Sequence, residues 1–203
     1  MAGSSQITIK KISPMNRREA LTRVAWIMGG SVVGGNLFLE ACTRKATPGV
    51  QGLFEAETVD FLGDIADTIL PPTHSPGAKE AGVGSFIPVM VRDCYTPEAQ
   101  QVVLEGLGKL ETTSSQAFGR NFQALDAVER TELLAAVDKE AKEYQRSKSG
   151  DAPDHYFHLL KQLTLLGYFT SELGATKALR YVQIPGRYDG NYPYKKGDRA
   201  WAL

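Results

Sequence analysis

The sequence predicts a mostly α-helical fold: a compact single-domain helical bundle followed by an irregular C-terminal tail rich in aromatic residues. Apolar residues recur at helical spacing in four segments, which begin near residues 55, 96, 126 and 154. Two of these segments open with capping sequences, Thr96-Pro97 and Asp126 with Glu129. No convincing run of alternating apolar and polar residues is present, so strands are not expected.

The chain opens with the parts of an export signal, which we assign to residues 1–42. Arg17 and Arg18 precede an uncharged segment that ends before Glu40 and is too short to span a bilayer, which needs about 20 apolar residues. The adjacent arginines resemble a twin-arginine signal, which exports folded proteins. Met15, directly before them, is a plausible true start.

The segment Leu39-Glu40-Ala41-Cys42 resembles a lipobox, in which the cysteine is acylated and becomes the new N-terminus. Glu40 departs from that pattern, because this position usually holds a small or apolar residue. We therefore expect a periplasmic lipoprotein that is exported folded and anchored to the membrane through Cys42. Cys94 then has no disulfide partner, and its apolar neighbours predict a buried thiol.

The folded domain is predicted over residues 55–183, after a polar tether over 43–54 that is broken by proline and glycine. Its first helix covers Glu55–Leu70 and ends at Pro71-Pro72. Two short helices are expected around Gly82 and Gly84, over 79–82 and 86–95.

Three longer helices follow, and each has an apolar face. The helix capped by Thr96 has Val103, Leu107, Leu110 and Ala117. The helix capped by Asp126 has Leu134, Val137, Ala141 and Tyr144. The helix over 154–170 has Leu159, Leu160, Leu163, Leu166 and Phe169.

The tail over 184–203 cannot hold a helix, because proline and glycine recur in it. It nevertheless carries Tyr188, Tyr192, Tyr194 and Trp201, whereas disordered tails are usually poor in aromatic residues. We expect the tail to pack either on its own helical body or on another subunit.

No catalytic motif is recognisable, and a formal net charge of zero gives no electrostatic basis for binding nucleic acid. His155 and His158 lie three residues apart near Asp151 and Asp154, which leaves open a small metal site or, alternatively, the polar start of a helix. One interpretation is therefore an independent periplasmic lipoprotein, either a binding module or a small metal enzyme. The other is an accessory subunit, because a folded-export signal without a cofactor motif suggests that the cargo is a bound partner.

Two long blocks and a closing turn resemble the gluconate 2-dehydrogenase subunit 3 family. The blocks are residues 61–83, beginning Phe-Leu-Gly-Asp-Ile-Ala-Asp, and residues 157–171, beginning Phe-His-Leu-Leu-Lys-Gln-Leu. The turn is Tyr-Val-Gln-Ile-Pro-Gly-Arg-Tyr at 181–188. The resemblance covers Glu55 to about Tyr188 and is thinnest over 97–150.

The resemblance implies a non-catalytic small subunit of a membrane-associated sugar or polyol dehydrogenase. The partner is then a large flavoprotein of glucose-methanol-choline type that holds FAD, and a cytochrome c commonly takes the electrons. No cofactor, metal or catalytic residue is expected on this chain. We predict that the partner contacts two segments, 71–84 and 185–201, in which prolines and glycines are combined with aromatic and basic residues. The expected contact residues are Pro71, Pro72, His74, Tyr188, Tyr192, Tyr194 and Trp201, with Lys195 and Lys196 alongside.

Overall fold

Five α-helices account for most of the chain that the computed structural model describes, which is residues 47–202 without Pro185 and Tyr188. They are α1 (Ala56–Ile69), α2 (Val83–Cys94), α3 (Pro97–Phe118), α4 (Ala127–Ser147) and α5 (Tyr156–Thr170). Short 3₁₀ turns cover Val50–Phe54 and Phe122–Ala124, and a π-helical turn covers Gly174–Ala178. This confirms the mostly α-helical fold. Within the described residues, no helix combines the length and the apolar character needed to cross a bilayer.

The predicted caps are present at two helix starts. The Thr96 hydroxyl accepts the Ala99 N–H at 3.3 Å. The Asp126 carboxylate accepts the Val128 and Glu129 N–H groups at 2.8 and 2.9 Å, and the Glu129 carboxylate accepts the Asp126 N–H at 2.9 Å. These bonds satisfy backbone donors that have no partner inside the helix.

Helix α5 is the central element, since it packs against each of the other four helices. Its first half is buried almost all round, and every helix contributes a buried stripe to one core. The members of that core with the least exposure include Leu53, Leu62, Ile65, Val83, Ile87, Val91, Val103, Leu110, Phe122, Phe157, Leu160 and Leu163.

The expected short helix over 79–82 does not form, and α2 begins earlier than predicted. Gly82 adopts a left-handed conformation with φ of 77° directly before α2. Gly84 then lies inside the helix, where a Cβ would be 2.5 Å from the Val59 carbonyl oxygen and 2.9 Å from the Gly63 nitrogen. Gly84 therefore allows α2 to approach the backbone of α1 closely.

The tether predicted over 43–54 is too long, because the folded domain begins before residue 55. Val50 and Leu53 are 1% exposed and belong to the 3₁₀ turn that packs on α1 and α2. Thr47 bonds to the Gln100 side chain at the start of α3. The sequence did not reveal this turn, because five residues are too few to show the periodic spacing of apolar residues that marks a longer helix.

Two burial predictions are also wrong. Cys94 is exposed, because it continues the partly buried row of Phe86 and Met90 into the last turn of α2. Ala117 is exposed as well, and the fully buried Ser114 takes its place on α3 and donates to the Arg120 carbonyl at 2.9 Å.

Candidate partner-binding surface

The first predicted contact segment is an exposed loop that follows α1. Pro71, Pro72 and His74 are all exposed. The loop closes at its base, where the Ala78 N–H donates to the Leu70 carbonyl at 3.0 Å. The loop is therefore a protrusion whose two ends are held together by a backbone hydrogen bond.

Lys79 fixes the C-terminal end of this loop to α1. Its ammonium lies 2.7 Å from the Asp60 carboxylate and 2.6 Å from that of Asp64. Hydrogen bonds to Asp60 and then Asp64 raise the pKa of Lys79. Its backbone N–H also donates to the Asp67 carboxylate at 3.1 Å. Lys79 and Asp60 are 41% and 55% exposed, so their ion pair positions the loop more than it stabilises the domain.

Tyr168, in the last turn of α5, holds both the loop and the start of the C-terminal segment. Its buried hydroxyl donates to the Pro76 carbonyl at 2.7 Å. Its own carbonyl accepts the Ser171 hydroxyl at 2.7 Å. A Cβ on Gly174 would lie 1.8 Å from that same carbonyl oxygen, so the turn after α5 needs glycine there.

The second predicted contact segment, the tail, packs on Arg180. The Arg180 N–H donates to the Ala200 carbonyl at 2.7 Å, and the Ala202 N–H donates to the Arg180 carbonyl at 2.9 Å. The guanidinium carbon lies 4.7 Å from the centre of the Trp201 ring and 5.6 Å from that of Tyr192. The two rings meet edge to face at 5.4 Å. We name Arg180, Tyr192 and Trp201 the Arg180 clasp.

The tail aromatics stay accessible although the tail is tied to its own chain. Tyr192, Tyr194 and Trp201 are 51%, 77% and 44% exposed, and Lys195 and Lys196 are exposed beside them. Among the residues described after Ala178, none belongs to the hydrophobic core. The clasp therefore orders the tail without burying its rings. Tyr188 lies outside the described residues.

The buried stripe of α5 runs through Leu160, Thr164 and Gly167, at positions i, i+4 and i+7. Thr164 is fully buried and donates to the Leu160 carbonyl at 2.8 Å. At Gly167 a Cβ would lie 2.6 Å from the Phe86 ring, which marks the crossing with α2. Two small residues, Thr164 and Gly167, thus share the buried face of the second half of this helix with Tyr168, which is 3% exposed.

Three large side chains of the same half face outward, against the sequence-based expectation that Leu166 and Phe169 belong to the buried side. Leu165, Leu166 and Phe169 are 39%, 45% and 39% exposed. The helix is apolar all round here, so its period could not show which face is buried.

Exposed large apolar side chains are concentrated in one part of the chain. Twelve such residues occur within the described part, and nine of them lie between residues 165 and 201. The nine are Leu165, Leu166, Phe169, Tyr181, Val182, Ile184, Tyr192, Tyr194 and Trp201. We name this set the C-terminal apolar surface.

His155 and His158 are not brought together with a third ligand. His155 caps α5, where its Nδ1 accepts the Phe157 N–H at 3.2 Å. The His158 Nε2 atom lies 2.8 Å from the Gln162 amide nitrogen. Over residues 47–202 without 185 and 188, no group of three histidine, cysteine or acidic side chains could hold a metal ion. His155 and His158 therefore fit the alternative interpretation, the polar start of a capped helix.

Three further residues named from the sequence, Arg17, Arg18 and Cys42, lie outside the described residues.

Comparison of the sequence with known protein families gives one match. A family model described as gluconate 2-dehydrogenase subunit 3 matches residues 56–186, which is more than half of the chain. The match begins at the first residue of α1 and ends after the segment that carries Arg180. No curated protein and no solved structure matches the chain.

Proposed function

The chain belongs to the gluconate 2-dehydrogenase subunit 3 family, and we propose that it is the non-catalytic accessory subunit of a periplasmic dehydrogenase complex. In this proposal it escorts, anchors and stabilises a large flavoprotein subunit of glucose-methanol-choline type. That partner binds FAD and oxidises a sugar or polyol, and a cytochrome c subunit commonly accepts the electrons.

The observation that carries the proposal is the orientation of α5. Thr164 and Gly167 face the domain, while Leu165, Leu166 and Phe169 face outward. A helix that served only its own core would gain more free energy with the large residues inside, since burial stabilises in proportion to apolar area. Large apolar side chains concentrated on a surface typically mark a site of protein interaction.

The loop and the tail carry residues suited to an interface. Tyrosine, tryptophan and arginine are enriched among residues that dominate binding energy, and the Arg180 clasp presents one of each. The clasp also holds the tail in place before binding, which lowers the entropy that association must offset. Tyr168 attaches the loop, and Ser171 directly after α5, to the last turn of that helix.

The escort and anchor roles rest on the N-terminal sequence. Arg17 and Arg18 are suited to export of folded cargo, and a partner without its own signal could cross with this chain. Acylated Cys42 would then hold the complex at the membrane through several lipid chains, because one chain alone binds only marginally.

A pull-down with charged variants of the C-terminal apolar surface tests the proposal. Leu166→Glu and Phe169→Glu each place a charge where we expect a desolvated contact. Apolar anchors of this size are worth about 2 kcal/mol at an interface, so each change should weaken binding of the flavoprotein about 30-fold.

Val128→Glu is the matched control. Val128 is also a large apolar residue on a helix and is 75% exposed, but it lies in the first turn of α4. This control should bind like the unmodified chain, and all three variants should keep a cooperative melt. Binding that is equally strong in all three variants would exclude α5 from the interface.

A further inference from the structure

The formal charge of the chain is segregated between the helical domain and the tail. Residues 47–178 carry eleven lysine and arginine residues against nineteen aspartate and glutamate residues, which gives a net charge of −8 with histidine neutral. Residues 179–202 carry five basic residues against two acidic ones, which gives a net charge of +3. The tail is therefore a basic segment attached to an acidic domain.

The two acidic residues of the tail are paired with arginines of the tail. The Asp198 carboxylate lies 3.6 Å from the Arg180 guanidinium. The Asp189 carboxylate lies 3.7 Å from the Arg187 guanidinium. These pairs use the negative charge of the tail, so they do not neutralise its two lysines.

Lys195 and Lys196 lie in a tight turn over residues 195–198, which we name the lysine turn. The Asp198 N–H donates to the Lys195 carbonyl at 3.0 Å, and the Lys195 N–H donates to the Asp198 carboxylate at 3.1 Å. Gly197 has a φ of 96°, a conformation for which turns commonly use glycine. Backbone groups and Asp198 hold this turn, so its shape does not depend on the lysine side chains.

The charge of the lysine turn is not matched by the acidic domain. Over residues 47–202 without 185 and 188, no carboxylate lies within 4 Å of the Lys195 or Lys196 ammonium group. Both lysines are exposed, and the adjacent Tyr194 is 77% exposed. A tail that served only its own domain would gain by placing these lysines against acidic residues, since opposite charges 4 Å apart attract by about 1 kcal/mol even in bulk water.

The unmatched charge indicates a partner surface of opposite sign. We propose that the lysine turn docks on an acidic patch of the flavoprotein, with the Tyr194 ring in an apolar depression beside that patch. The docking site rests on the accessory role proposed above and adds the chemistry of the partner surface. Complementary charges steer two proteins towards each other and fix their register, whereas apolar rings contribute buried area once they have met.

An anionic lipid surface fits the same features less well. Segments that bind such a surface typically contain about four to eight clustered lysine and arginine residues, whereas the lysine turn contains two. A membrane surface is also extended and negative throughout, so it would repel the acidic domain to which the tail is attached. A protein partner can present acidic groups only where the lysine turn meets it.

Association kinetics with the flavoprotein that co-purifies with the full chain test the docking site. The double variant Lys195→Glu/Lys196→Glu reverses the charge of the lysine turn and keeps its backbone hydrogen bonds. In 0.1 M salt, where charges interact over about 10 Å, we expect the association rate constant to fall about 10-fold with little change in the dissociation rate constant. In 1 M salt, where this range is about 3 Å, the variant and the unmodified chain should associate at nearly equal rates.

The matched control is the double variant Lys139→Glu/Arg146→Glu on α4. Both side chains are exposed there, and the change in net charge is the same. We expect this control to associate like the unmodified chain. An equal loss in both double variants would make overall charge the cause and overturn the docking site, and so would an unchanged rate in the lysine-turn variant.

Flotation with vesicles that contain phosphatidylglycerol tests the lipid alternative. With Cys42→Ser as the background, the unmodified tail and the lysine-turn variant should float to the same extent. Flotation that the variant abolishes, together with unchanged association with the flavoprotein, would assign the turn to lipid and contradict the proposal. A full chain that binds no flavoprotein at either salt concentration would refute the accessory role as well, whereas binding that is insensitive to the turn would refute the docking site alone.

Discussion

Replacing Gly84 by alanine should destabilise the domain, although alanine favours helices. Gly84 lies inside α2, where alanine is better than glycine by about 1 kcal/mol. Against this, the added methyl would be 2.5 Å from the Val59 carbonyl oxygen and 2.9 and 3.0 Å from two backbone atoms of Gly63. Backbone cannot rotate away as a side chain can, so α1 and α2 would have to separate.

The magnitude follows from these two effects. Overpacking costs about 1–3 kcal/mol, and the upper end applies here because every close contact is to backbone. Subtracting the gain in helix propensity leaves a loss of about 2 kcal/mol. For a chain of this size the melting temperature should fall by about 4–8 °C.

Gly108→Ala is the matched control, because the same substitution is made in α3 at a position with no atom within 4 Å of the added carbon. Only the propensity gain applies there, so the melting temperature should rise by about 2–4 °C. Thermal and urea unfolding followed by circular dichroism measure both variants. If Gly84→Ala were as stable as Gly108→Ala, the close crossing of α1 and α2 would be refuted.

Three further predictions concern the proposed complex. Cutting the chain after Ile184 should leave the helical signal and a cooperative melt intact, since the described core ends at Tyr168 apart from Ala178 at its edge. The same cut should weaken the pull-down of the flavoprotein, and loss of helical signal would instead make the tail part of the domain. Replacing Arg17 and Arg18 together by lysine should leave both proteins in the cytoplasm; normal periplasmic flavoprotein on fractionation would contradict the escort role. Cys42→Ser should release an active complex in soluble form, and mass spectrometry that finds an unmodified Cys42 in the native protein would contradict the anchor.

The sequence was sufficient for helices that combine a clear stripe with a local cap. Capping depends on residues three positions apart, so Thr96 and Asp126 mark helix starts without knowledge of the fold. The irregular structure of the tail was also predictable from the local sequence, because Pro193 and the nearby glycines prevent a helix from forming there.

The remaining features depend on contacts between distant residues. Leu166 and Phe169 are exposed because the opposite face of α5, at Gly167, packs against Phe86 of α2. The amide of Gln100 is buried where it donates to the Val91, Arg92 and Tyr95 carbonyls at the end of α2. Periodicity within one segment cannot reveal which neighbour a face will meet.

In the candidate site, too, some features could be predicted from the local sequence and others depend on contacts between distant residues. Composition alone indicated an ordered tail, because four aromatic residues are unusual in a disordered one. Arg180 gave no signal of its role, since a single arginine twelve residues before Tyr192 has no pattern to match. Gly174 was missed for a related reason, as it is required by a close approach that only the fold creates.

Purification of the native complex tests the central claim most directly. The full chain, tagged at its C-terminus in cells that make it, should be extracted from membranes with detergent and analysed for bound proteins and flavin absorbance. We expect a larger flavoprotein in fixed ratio to the chain, with the flavin spectrum eluting in the same peak. A chain that elutes alone and without flavin would contradict its role as an accessory subunit.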